Sequence, residues 1–329
     1  MTERDSSKRR ESRISIGGTA RETLRLVRNF PSFRQKAEKA VLALGIKNSP
    51  EALVIQEHFG PSYRFGPQYG EMGYCTKAFA DILRSDQDNT DIGIIATEFY
   101  VFLDRLDDTI DSPNFHQEGK LSVLQAARDM LRGEEITDQN PNMQAMVLLA
   151  QDMRERITAL SPTPDCVDKF VVKCEDTLDA LFKETLPKSQ KRHLVTTVNV
   201  GRKCVAPLME IIVCKYGEPF PSPTAENLVA IGNILDDYWD IVKDRDAQRA
   251  TFLTMVLENK QMTNPEVIIR TLFELQMHKL AFFYGTKLLK KAMDPLPIKW
   301  KEDVLAIAMF AQIGVFQRRF NSLKGMFRT

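Results

Sequence analysis

The sequence predicts an all-α protein, and three observations carry that expectation. Glycine is sparse, at 16 of 329 residues, and proline clusters in short stretches that read as connections: FGPSYRFGPQYG, DSPNF, LSPTPD, YGEPFPSPT and MDPLP. Between those stretches apolar residues recur at spacings of three and four, the period of an amphipathic helix. No alternating run bounded by NG or DG marks a hairpin. A βαβ rhythm with a GxGxxG or GxxxxGK[ST] loop is also missing. After residue 20 no internal repeat or low-complexity block interrupts the pattern, so about ten helices in a single domain over 21–329 are expected.

Taken in order, the elements begin with a tail. Residues 1–20, MTERDSSKRRESRISIGGTA, are basic and Ser-rich with no hydrophobic segment. They read as a solvated, disordered stretch; Glu3, Asp5 and Glu11 argue against a transit peptide. The longest apolar run, IGIIATEFYVFL, carries Glu98 and falls short of a membrane span. Lys+Arg 45 against Asp+Glu 44 leaves no charge excess to recruit nucleic acid or an anionic membrane. Five cysteines (Cys75, Cys166, Cys174, Cys204, Cys214) without a CxxC pair suggest reduced thiols, and four scattered histidines (His58, His116, His193, His278) argue against a His-based metal site.

The apolar run leads into FYVFLDRLDDTIDSP, in which Asp104, Asp107, Asp108 and Asp111 fall at i, i+3, i+4 and i+7. Asp-Ser-Pro at 111–113 suggests that this helix ends there. Some 130 residues later ILDDYWDIVKDRD packs five carboxylates into thirteen positions. Asp236, Asp240 and Asp244 recur every four residues, stacking three charges on one face over roughly 12 Å. Like charges at i,i+4 weaken a helix. An acidic face is ordinarily only a solvated one, with Lys or Arg at i±4. Here the flanks are apolar instead: Phe99, Phe102, Leu103, Leu106 and Ile110 around the first cluster, Ile234, Leu235, Trp239 and Val242 around the second. Arg105 and Lys243 are among the nearby bases. Such faces call for a compensating cation, and carboxylate-only ligation selects a hard ion such as Mg²⁺, completed by phosphate oxygens and water. The two helices are expected to face each other across a cavity mouth and hold Mg²⁺ bridging to a diphosphate. The last helix, EDVLAIAMFAQIGVFQRRF, shows a stripe at Val304, Ile307, Ala308, Ala311 and Val315, widened by Leu305 and Phe316.

The two acidic strings resemble the metal motifs of class I isoprenoid enzymes, the terpene cyclases and trans-prenyl diphosphate synthases. DDTID (Asp107, Asp108, Asp111) looks like DDxxD. DDYWDIVKD is similar to the cyclase triad (N/D)DxxSxxxE, making Asp236, Asp240 and Asp244 ligands and placing Lys243 where the family has its Lys. It departs from that triad at Asp240 and Asp244, and it also resembles a second DDxxD, in which Asp236, Asp237 and Asp240 would ligate. FQRRFNSL resembles the cyclase Arg-Tyr pair, with Arg318, Arg319 and Phe320 in the matching places and Phe replacing Tyr. VNVGRKCVAPLMEIIVCKYGEPFP is similar to the cyclase helix that carries a diphosphate-sensing Arg and breaks near the active site. Arg202 then matches the sensor, with Lys203 beside it and Pro207 near the break; Arg192 better fits the usual sequence separation. A basic GKxxR segment and an Arg pair after DDxxD, used by prenyl diphosphate synthases for a second diphosphate, are missing.

The resemblance, over roughly residues 90–325, implies a class I isoprenoid synthase bundle around a central cavity. It implies three Mg²⁺ ions, a linear prenyl diphosphate as substrate with farnesyl diphosphate the first choice, and ionisation to a carbocation lined by rings such as Phe99, Phe102, Phe182 and Trp239. The reduced thiols point to the cytoplasm, and a homodimer is the assembly considered. A prenyltransferase and a non-catalytic relative remain the other two readings.

Overall fold

The computed structural model describes residues 14–44, 67–110, 117–136, 141–161, 163, 165–185, 195–221, 223–231 and 286–326. Among them, all regular structure is helical: α1 (Ile16–Ala43), α2 (Pro67–Leu83), α3 (Thr90–Ile110), α4 (Gln117–Arg132), α5 (Pro141–Leu160), α6 (Cys166–Thr185), α7 (Val195–Tyr216), α8 (223–231), α9 (286–293) and α10 (Ile298–Met326). No described helix is long and apolar enough to cross a membrane. The helices group into two compact units, Met1–Val101 with Pro295–Thr329, and Phe102–Asp294.

In the first unit α1, α2 and α10 pack on one another. Residues 16–20, read from the sequence as part of the tail, belong to α1, and residues 1–13 lie outside the described residues. Ser15 caps α1, its hydroxyl accepting the Gly18 N–H at 3.0 Å, and its own N–H donates to the Glu302 carboxylate at 2.7 Å. The core here is aromatic: Phe30, Phe33, Tyr74 and Phe310 form a chain of tilted and edge-on ring pairs with centroids 5.3–5.6 Å apart. Phe310 explains why the apolar stripe of α10 is rotated from the expected one. Val304 and Ile307 are buried as expected, but Ala306, Phe310 and Gly314 complete the buried face, while Ala308 and Ala311 are only half-buried. A ring that fills the aromatic cluster outweighs two alanines in choosing which face turns inward.

Burial within this unit has a consequence for alkaline stability. Tyr74 is pushed up to about 12 by burial, and Cys75 to about 12 by burial and the nearby Glu71 charge. Both groups are neutral when protonated, so the folded chain holds these protons more tightly than the unfolded one. Their stabilisation is complete below pH 9 and is lost as pH rises from the ordinary thiol value of 9.0 towards 12. Urea unfolding at pH 8, 9.5 and 11 should show a fall on the order of 1 kcal/mol per pH unit above pH 9, reduced in Cys75→Ser.

In the second unit α6 packs against α4, α5 and α7, and α4 also meets α5. Gly133 ends α4 at φ 84°, its N–H bonding Met130 C=O at 3.0 Å while the Glu134 N–H reaches Asp129 C=O at 2.9 Å. The next carbonyl of that end, Leu131, accepts from Arg154 of α5 at 2.8 Å. Gly217 closes α7 in the same left-handed way, at φ 69°. Arg128–Asp179 and Arg132–Glu175 pair α4 with α6 at 2.5 and 2.7 Å, on the solvent side, where such pairs contribute little. In α8, the buried Thr224 hydroxyl donates to the Ala292 carbonyl of α9 at 2.7 Å. All five cysteines lie among the described residues and none forms a disulfide.

Candidate diphosphate and metal site

The last third of α3 divides its residues by chemistry, as the sequence pattern requires. Phe99, Phe102 and Leu106 have no exposed surface, Ile110 has 1 % and Leu103 8 %, while Asp107 is exposed. Asp104 is only partly exposed, and its carboxylate is held at 2.6 Å by the guanidinium of Arg105. Asp107 and Asp108 are the acids of the final turn, which carries no basic residue. This is the end of a helix where the macrodipole is negative, so carboxylates placed there cost stability.

Asp107 is the one expected metal ligand whose side chain is described. Asp108 lies in α3 with only its backbone described, and Asp111, Asp236, Asp240 and Asp244 lie outside the described residues, as do Arg192, Asp237, Trp239 and Lys243. Among the described residues no group of three or more His, Cys, Asp or Glu side chains is placed to hold a metal ion. Phe99 and Phe102 are fully buried, so in this structure both rings are core packing; a lining role requires a pocket that opens onto them. Phe182 is half-buried.

The expected cations fall on two helices. Arg318 and Arg319 lie in α10, and Arg202 in α7, each with only its backbone described. Lys203 follows Arg202 on α7. Its ammonium lies 3.3 Å from Asp176 of α6, both side chains nearly half-exposed, a geometry that leaves the lysine available to another anion.

The break expected near Pro207 is not observed: α7 runs unbroken from Val195 to Tyr216 with Pro207 inside it. Proline has no N–H, so the carbonyl four residues earlier, that of Lys203, loses its helical donor. The structure supplies a replacement. Thr177 of α6, fully buried, donates its hydroxyl to Lys203 C=O at 2.9 Å. Sequence reasoning missed Thr177 and Asp176; the available signal was the proline four residues after Lys203, which marks an orphaned carbonyl.

No protein-family model matches the chain, and no curated protein matches it in sequence. Solved structures match in three dimensions. Hedycaryol synthase, solved with HEPES, superposes with a TM-score of 0.52 at 15% identity over 88% of this chain and 94% of that one. Linalool/nerolidol synthase from Streptomyces clavuligerus, solved with 2-fluorogeranyl diphosphate, gives 0.48 at 14% identity over 88% and 97%. The likeness to hedycaryol synthase is one of fold: this chain has the helical fold of the class I terpene synthases, as the acidic motifs led us to expect.

Proposed function

We propose that this chain is a Mg²⁺-dependent class I terpene synthase that takes a single linear prenyl diphosphate, farnesyl diphosphate first. It releases diphosphate and closes the resulting carbocation to a terpene. The observation that supports this reading most directly is the acidic final turn of α3, set against its own helix dipole in a chain with this fold. An all-carboxylate donor set with Asp107 exposed suits a hard divalent ion. Asp107, Asp108 and Asp111 on one side, and Asp236, Asp240 and Asp244 on the other, would hold three Mg²⁺ ions; the bound metal supplies Lewis-acid neutralisation of the leaving diphosphate. In the alternative register Asp237 takes the place of Asp244.

The chain's own residues do the rest. Arg202 and Lys203, with Arg318 and Arg319, give charge-assisted hydrogen bonds to the diphosphate oxygens; Lys243 and Arg192 are further cations for the same anion. These charges are fixed before the C–O bond breaks, so the developing negative charge meets donors already oriented. Trp239 supplies apolar surface that excludes water from the cation, and Phe99 and Phe102 would add to it only where the pocket opens onto them.

The test uses the purified full chain with Mg²⁺ and geranyl, farnesyl or geranylgeranyl diphosphate alone. Release of inorganic diphosphate with a volatile hydrocarbon or alcohol, seen by gas chromatography with mass spectrometry, is the expected result. A cyclase needs one substrate because its nucleophile is an alkene in the same chain. Silence with each single substrate, followed by a longer diphosphate once isopentenyl diphosphate is added, would replace this reading with a prenyltransferase.

A further inference from the structure

Helix α7 contains a hydrogen-bond defect whose repair comes from another helix. Pro207 cannot donate to Lys203 C=O, and a partly buried carbonyl left without a donor is costly. The Thr177 hydroxyl carries one proton and faces two carbonyls: Lys173 of its own helix at 3.2 Å and Lys203 of α7 at 2.9 Å. Lys173 keeps its normal helical donor, the amide of Thr177 itself, whereas Lys203 has none from residue 207. The proton therefore serves α7. The preceding residue, Asp176, meets the Lys203 ammonium at 3.3 Å, so α6 holds both ends of Lys203.

We infer that Thr177 is a positioning residue of the diphosphate site: its hydroxyl replaces the amide proton that Pro207 lacks and fixes the turn of α7 bearing Arg202 and Lys203. The inference rests on the reading of that turn as diphosphate-binding. Thr177 never touches substrate; it sets where two cations stand. Pairing a proline-made carbonyl with a donor from the neighbouring helix ties this turn to α6, where an ordinary residue at 207 would have left it bonded only within α7.

The experiment is a double-mutant cycle in the full-length chain, read by thermal unfolding and by calorimetric binding of inorganic diphosphate with Mg²⁺. Thr177→Val keeps shape and removes the donor. It should lower Tm by about 2–4 °C, and Thr177→Ser should restore it. In the Pro207→Ala background residue 207 regains an N–H for Lys203 C=O, so Thr177→Val should cost less than half as much. Equal losses in both backgrounds, or none in either, overturn the hydrogen-bond replacement. For the site, Thr177→Val should weaken diphosphate binding about tenfold and lower kcat with prenyl diphosphate, with Thr177→Ser near the parent in both. A parent chain that binds diphosphate, and a Thr177→Val variant that binds it equally well, overturn the positioning role while leaving the proposed function intact. A parent that binds no diphosphate at all defeats the proposed function and the positioning role together, and the Tm cycle then still decides whether the bond exists.

Discussion

Replacing Gly73 by alanine should destabilise the chain by about 3 kcal/mol or more, enough to prevent accumulation of folded protein at 37 °C. Gly73 of α2 sits against α3 so closely that an added Cβ would collide with the Gly93 carbonyl oxygen and the Thr97 hydroxyl oxygen. The first is backbone and cannot rotate away. The second is fixed, because the Thr97 hydroxyl donates to that same Gly93 carbonyl at 2.8 Å. Gly93 is closed from its other side, with the Phe33 ring 2.6 Å from its Cβ position and the Gly73 carbonyl at 3.0 Å. Relief would require α2 and α3 to separate, and Phe33, which packs against both Tyr74 and Gly93, could not keep both contacts. Gly70, one turn earlier, is the internal control: its Cβ would meet the Arg34 and Phe30 side chains at 3.4 and 3.6 Å, ordinary contact. Gly70→Ala should therefore be neutral or stabilising, by up to the helix-propensity difference of about 1 kcal/mol. Denaturant midpoints of the two variants measure the contrast. Equal behaviour would mean that the crossing is looser than drawn.

The same pair of glycines shows what the sequence could and could not convey. The helical class was legible because it depends on local period, and α3 was legible in detail: the apolar flanks Phe99, Phe102, Leu106 and Ile110 are buried and Asp107 is exposed. Both facts follow from one helix's own spacing. The Gly73–Gly93 crossing depends on two helices meeting at one point, and nothing in either segment states the partner. Proline misled for a related reason. Pro207 lies inside α7 and not at a break, since a missing N–H breaks a helix only when nothing else satisfies the orphaned carbonyl. At Lys203 the satisfying group, Thr177, is 26 residues away on another helix. Likewise Asp104, counted by spacing with the acidic face, is claimed by the adjacent Arg105, a rotamer choice that spacing does not encode.

Exchanging Asp107 for asparagine should cut turnover of a prenyl diphosphate by a hundredfold or more while leaving the metal-free fold as stable as before, or more so. The two effects have separate causes. Asparagine keeps the shape but loses the charge that a hard cation requires, and a ligand charge removed from a site that neutralises a leaving anion costs on the order of 3–4 kcal/mol in the barrier. Against that, Asp107 lies in the last turn of α3, where the helix dipole is negative, beside Asp108 and with no basic residue in the turn. Removing one of these charges relieves about 0.3–1 kcal/mol of unfavourable electrostatics. An acid kept only for solvation would show the same unchanged or raised stability, with activity unchanged. One kept for structure would lose stability and activity together. Steady-state rates with saturating Mg²⁺, set beside Tm in excess chelator, distinguish the three. Raising Mg²⁺ should recover part of the Asp107→Asn activity, because a weakened ligand set still fills at higher metal concentration. A variant that loses activity, keeps its Tm and responds to Mg²⁺ would establish the α3 terminus as a metal-binding edge.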